Sequence, residues 1–121
     1  MKYLLLFCAN QEELAAWQAF SEEERIQSRA KTRQWMQEHG PSQVRWIYGL
    51  HLPHTVTSVH ADAKGKPLVT DGPFLEGTEV IGGVAEIEVA NLDEALQFAR
   101  AWAVAHAPDH PVIEIWPIVE E

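Results

Sequence analysis

Two stretches of helical period stand between stretches of period two, and that order leaves few folds open to this chain. "KYLLLFCA" (2–9) is apolar throughout and has strand length, so it reads as a buried strand. "NQEELAAWQAF" (10–20) suits a short helix with Leu14, Trp17 and Phe20 on one side. Ser21 and Glu24 have capping-box spacing, which starts a second helix at Ser21. That helix runs to His39, where Gly40 and Pro41 end it. Its apolar stripe (Ile26, Ala30, Trp35, Met36) is thin, so most of it must be solvated. "VRWIYGLHL" (44–52) alternates, with Val44, Trp46, Tyr48, Leu50 and Leu52 on one face of a strand. "TVTSVHA" (55–61) and "KPLVT" (66–70) flank the turn signal "DAKG" and make a hairpin. "GVAEIEVA" (83–90) is a further strand. Asn91 and Glu94 repeat the capping pattern ahead of Leu92, Ala95, Leu96, Ala99 and Trp102 or Ala103 at helical spacing. "PVIEIWPIV" (111–119) is the last strand.

With the hairpin set aside, the order is βαββαβ, a ferredoxin-like unit within the α+β class. One domain, residues 1–121, is expected at this length. The first and third core strands should lie in the middle of the sheet, and helices should cover one face only. Ala85, Ile87 and Val89 share one side of their strand, as do Ile113 and Ile115 of theirs. These all-apolar sets belong under the helices. The uncovered face then carries Glu86, Glu88, Glu114 and Trp116. Carboxylates on the middle of a sheet must be solvated or paired, and large apolar residues beside them call for a partner. A face that is part dimer interface and part wet cleft meets both demands.

Charge narrows the function. The net charge is −9, with 9 basic against 18 acidic residues, which opposes binding to a phosphate backbone. Cys8 is the one cysteine, so no disulfide closes within the chain, as suits a reducing compartment. Within its strand it reads as a core thiol. The apolar run Tyr3–Ala9 is short for a signal peptide, and no stretch approaches the ~20 apolar residues of a membrane span. The expectation is a cytoplasmic protein without membrane or nucleic-acid partners.

The segment "VTDGPFLEGTEVIGG" (69–83) is long for a hairpin link, which needs only about two to five residues. Asp71 suits an Asx-type turn, Gly72 permits positive φ, Pro73 fixes the next φ, and Phe74 can pin the loop to the domain. Gly82 and Gly83 permit a bulge or a close backbone approach. Beside this turn-making account stands a functional one. Asp71 at a cleft mouth would act as a general base or orient a ligand. Glu86, Glu88 and Glu114 divide in the same way. They are either solvated and paired with arginines, or they form a cluster with one raised pKa. Among the histidines, His51 is the first candidate for a base because it sits at a strand end near the loops. His54, His60, His106 and His110 show no recognised zinc spacing, so no metal is expected. Gly82-Gly83 precedes a strand rather than a helix, which disfavours nucleotide binding, and no cofactor is expected. Trp46 and Trp116, with Phe74, would line a cleft for a small molecule if they face the open side.

The same segment, with "KPLV" before it and "NLDEAL" after the next strand, resembles the DGPF group of the YCII-related proteins. The matching residues are Asp71, Gly72, Pro73, Phe74, Glu76, Glu79, Gly82 and Gly83, and "MKYLLLF", "SEEER" and "YGLHLP" extend the likeness over the chain. The resemblance implies a homodimeric α/β barrel, in which two ferredoxin-like sheets face each other around a cleft. It implies no settled activity. Related barrels include small decarboxylating, dehydrohalogenating, isomerising and oxygen-using enzymes, and a cofactor-independent acid–base enzyme is the first expectation. Other members of the group are encoded beside sigma factors, which implies instead a ligand-binding or regulatory module of transcription. A His–Asp pair suggested for the wider family puts its histidine late in the first helix. This chain departs from that pattern, with Arg29, Arg33, Trp35 and finally His39 there.

Overall fold

The computed structural model describes residues 1–39, 42–73, 79–106 and 112–120, with the main chain alone at Gln11 and His39. Gly40, Pro41, Phe74, Glu76 and His110 lie outside the described residues. Among those described, strands β1 (Lys2–Asn10), β2 (Val44–Gly49), β3 (Thr57–Ala61), β4 (Pro67–Asp71), β5 (Glu79–Glu88) and β6 (Val112–Pro117) alternate with helices α1 (Gln11–Ala19), α2 (Glu22–His39) and α3 (Leu92–Ala105).

The helices begin where short polar side chains can satisfy the first free N–H groups. Asn10 Oδ1 accepts the Glu13 N–H at 2.9 Å, and Asn91 Oδ1 accepts that of Glu94 at 3.0 Å. Ser21 and Glu24 close the capping box in both directions. At α3 the reciprocal arm moves back one residue, and Glu94 Oε2 accepts the Ala90 N–H at 2.9 Å.

The main sheet has the order β2-β5-β1-β6 with antiparallel pairing throughout. The first and third core strands are central, an order compatible with a ferredoxin-like α+β unit. Tyr3, Leu5, Ala85 and Ile87 are buried from one face of this sheet. They join Ala95, Phe98 and Trp102 of α3 and Met36 of α2 in one cluster, with Trp35, Ile47, Ile113 and Ile115 packed around it. Trp35 meets Phe98 and Trp102 edge-on, at centroid distances of 5.7 and 5.1 Å. The expected helix-facing set of β5 is therefore buried, and that of β6, Ile113 and Ile115, is partly buried against it. As its thin stripe requires, α2 contributes only Trp35 and Met36 to this core.

Two irregularities redirect side chains. The β2–β5 register shifts between Val44 and Trp46, with Val44 opposite Ile87 and Trp46 opposite Glu86. Val44 therefore packs on the core, whereas simple alternation puts it on the face of Trp46. The extra residue, Arg45, bulges out. The β1–β5 register shifts at Phe7/Cys8, with Phe7 opposite Gly83 and Cys8 opposite Ile81, so Gly82 is the extra residue there. A Cβ on Gly83 would lie 3.2 Å from the Tyr48 carbonyl oxygen and 3.4 Å from Phe7 Cδ2. One on Gly82 would meet only the Phe7 carbonyl oxygen, at 3.8 Å.

β3 and β4 form a separate two-stranded sheet, as the hairpin reading requires. The turn is fastened by Asp62 Oδ1, which accepts the N–H groups of Lys64 (2.8 Å) and Lys66 (2.9 Å).

These contacts set an ordered pair of expectations for thermal or denaturant melts. Gly83→Ala should cost about 1–3 kcal/mol, because two neighbours must yield. Gly82→Ala should cost much less, since its space is open. Leu5→Ala, at a fully buried site in the central strand, should cost about 2–5 kcal/mol.

Candidate functional site

Residues paired across an antiparallel ladder share a face. Alternation along β1 gives Tyr3, Leu5 and Phe7 to the helices and leaves Leu4, Leu6 and Cys8 on the other side. Register then fixes the rows of that uncovered face. One row runs Trp46, Glu86, Leu4, Trp116, and the next runs Tyr48, Val84, Leu6, Glu114. A third holds Ile81, Cys8 and Val112. The result is an apolar floor flanked by aromatic rings and carrying two carboxylates, Glu86 on a central strand and Glu114 on the β6 edge. Tyr48 and Trp116 are 62% and 54% exposed, so the rings stand free in the single chain.

The local contacts assign the polar groups. Trp46 and Tyr48, two apart on β2, stack with centroids 5.4 Å apart and planes at 27°. Trp116 Nε1–H donates to Glu114 Oε1 at 2.9 Å. Arg45, thrown outward by its bulge, reaches Glu88 Oε2 at 2.7 Å. Both members of that ion pair are about half exposed, so it stabilises by less than about 1 kcal/mol. Its effect is to neutralise Glu88 locally. Glu86 and Glu114 remain the carboxylates of the floor. They can accept hydrogen bonds from a donor-bearing ligand while the rings and leucines cover its apolar part.

Sequence reasoning anticipated Trp46, Glu86, Glu88, Glu114 and Trp116 on one face, and the structure brings these together. It passed over Leu4, Leu6 and Ile81, and set Tyr48 on the face of Trp46 without naming it for the site. The unbroken apolar run of residues 3–9 holds no mark that assigns the two leucines to a face. Ile81 needs the Gly82 bulge, which the glycine pair allowed for without placing Ile81 on this face. Cys8 is corrected outright. It is half-buried on the open face rather than a core thiol. Partial burial raises its pKa above the ordinary thiol range, and the carboxylates of Glu114 and Glu79 raise it further.

Asp71 and His51 stand elsewhere. Asp71 is the last residue of β4, opposite Thr57, and is exposed. The described hydrogen bonds of this corner come from Gly72, whose φ of 91° only glycine adopts at no cost. Its N–H donates to the Val56 carbonyl at 2.7 Å, and its carbonyl accepts Ser58 Oγ–H at 2.6 Å. His51 is exposed in the link after β2, just past Leu50, whose N–H donates to the Gly82 carbonyl. Phe74 lies outside the described residues. Among the described residues no three or more of His, Cys, Asp and Glu gather as a metal site would require, and no helix is long and apolar enough to cross a membrane. Two shallow recesses, one between α2 and α3 and one between α3 and β6, open on the helical side and are unrelated to the sheet face.

A raised thiol pKa means less thiolate at any given pH. Alkylation of Cys8 by iodoacetamide should therefore climb at higher pH than that of a free thiol peptide. Glu114→Gln should speed the reaction roughly two- to threefold at fixed pH, by removing a nearby negative charge. An unchanged rate would mean that Glu114 does not act on the thiol.

The chain matches the YCII-related domain over residues 1–120. It is also 37% identical, over 67 residues, to an uncharacterised protein of Rhizobium meliloti (strain 1021). That match covers 55% of this chain and 53% of the relative, so the chain spans about half the length of the protein it matches. With essentially its whole length inside the family model, the chain belongs to the YCII-related family.

Proposed function

We propose that two copies of this chain set their uncovered sheet faces together, as in a dimeric α/β barrel, and hold a small, largely apolar or aromatic molecule between them. One observation carries this reading. Among the described residues the helices that join the core pack on one face of the sheet, and its other face combines Trp46, Tyr48, Trp116, Leu4 and Leu6 with two carboxylates. An apolar face of this kind in water calls for a cover, while Glu86 and Glu114 prevent that cover from being dry throughout. A paired face with a wet, ligand-sized gap reconciles the two. The α/β barrel implied by the family resemblance is in keeping with it. Within this reading Asp71 and His51 belong to loops at the rim, where they serve as acid–base candidates for an enzyme without a cofactor. A non-catalytic ligand-binding module, acting in transcriptional regulation, would use the same floor and leave both rim residues idle.

Sedimentation velocity at micromolar concentration should find a dimer, and Trp116→Arg should weaken association at least about tenfold. A wild-type chain that sediments as a monomer would sink the paired-face reading. Titration with 1-naphthol, a neutral bicyclic aromatic, should quench tryptophan emission in the wild type and lose that effect in Trp46→Ala. Asp71→Asn and His51→Gln should leave this binding unchanged.

A further inference from the structure

The β3–β4 hairpin is held by hydrogen bonds at its tip and base but buries almost no apolar surface in a single chain. A lone two-stranded hairpin is marginal in water. Here nearly all of it is exposed, with Ser58 alone among the strand residues half-buried. Register gives it one apolar face. Val59 lies opposite Val69 and Ala61 opposite Pro67, with Thr57 and Asp71 on the same side. The two valines are 66% and 67% exposed.

We infer that this hairpin is an arm that lies across the open sheet face of a second copy, so that each cleft is walled by both chains. The inference rests on the paired-face reading and adds which segment of the partner covers the floor. Charge supports it. Lys64 and Lys66, at the hairpin tip, are the only Lys or Arg residues between Arg45 and Arg100. The open face presents Glu86 and Glu114, whereas Glu88 is already held by Arg45. Within one copy, cations at the arm's end and carboxylates on the floor make the surface self-complementary. Length agrees. Five strand residues extend roughly 17 Å, against roughly 14 Å across four strands spaced about 4.8 Å apart. The arm does not cover its own sheet, because Tyr48, Trp116 and both hairpin valines are more than half exposed together in one chain. Asp71 shares the face of Val59 and Val69, so a docked arm carries it to the edge of the partner's cleft. The motif aspartate would then serve the other subunit's site.

The test uses the full chain. Unlabelled and ¹⁵N-labelled protein are mixed, allowed to exchange, and treated with a zero-length carbodiimide that joins amines to carboxylates. Mass spectrometry should find Lys64 or Lys66 joined to Glu86 or Glu114 in mixed-isotope pairs. The double variant V59D/V69D alters side chains that are exposed in the single chain. It should keep its far-UV spectrum and raise the dimer dissociation constant on the order of 100-fold. Links confined to one isotope, or none to these glutamates, would overturn the arm. So would a V59D/V69D chain that pairs as the wild type does, and in that outcome the paired sheets stand without it. A wild-type monomer overturns both.

Discussion

Everything in this molecule hangs on β1 being hydrogen-bonded along both edges. It pairs with β5 from Lys2 to Asn10 and with β6 from Tyr3 to Cys8. A strand in that position has only its two faces left, and period two divides them without compromise. Tyr3 and Leu5 are buried with residues of α2 and α3, while Leu4, Leu6 and Cys8 go to the opposite side. A one-residue slip would exchange the two sets. The buried cluster of Tyr3, Leu5, Ala85 and Ile87 against α3 resists such a slip, and in doing so it fixes the composition of the exposed face. Core packing and the candidate site are two consequences of one register.

The glycine pair near the start of β5 shows how finely that register is set. Gly82 is the extra residue that lets Ile81 face the same side as Cys8, and Gly83 gives the Tyr48 carbonyl and the Phe7 ring room to approach. Two adjacent glycines thus have different duties. One changes the phase of the strand, and the other permits its neighbours to close on it. Arg45 makes a matching phase change on the opposite side of β5. It is thrown outward and meets Glu88, which leaves Trp46 and Tyr48 to line the face with Glu86.

Much of the fold was legible because strong local signals agreed with one another. Two Ncap side chains, Ser21 and Asn91, sit where caps were read, and the helix-facing set of β5 is buried while that of β6 packs partly buried against it. What escaped was phase. Val44 was assigned by counting in twos, and a bulge is invisible to counting. The strand after the motif begins at Glu79 rather than Gly83, because a pair of glycines looks like a break when it is only a bulge. Cys8 was misjudged for a different reason. An unbroken apolar run carries no mark of which face is covered, and the thiol follows its neighbours to the uncovered one. The site residues were legible as a set but not as a site. Alternation places Glu86, Glu114 and Trp116 together, but nothing in a linear pattern joins them to Asp71 or His51.

That separation carries weight. Within one chain, the motif aspartate ends a hairpin that stands in solvent, while the rings and carboxylates lie on the open face of a different sheet. A motif that stiffens its own turn through Gly72 has a structural purpose wherever the hairpin points. A stiff turn at the base of an otherwise unsupported hairpin is, however, of little use to a lone subunit. It adds nothing to the core and displays two valines to water. It becomes useful when the hairpin must be held out at a fixed angle to meet something else. The rigidity of the Gly72 corner and the bareness of the sheet face are then complementary halves of one arrangement. In the proposed dimer, the Gly72 corner would determine where the Asp71 carboxylate is delivered.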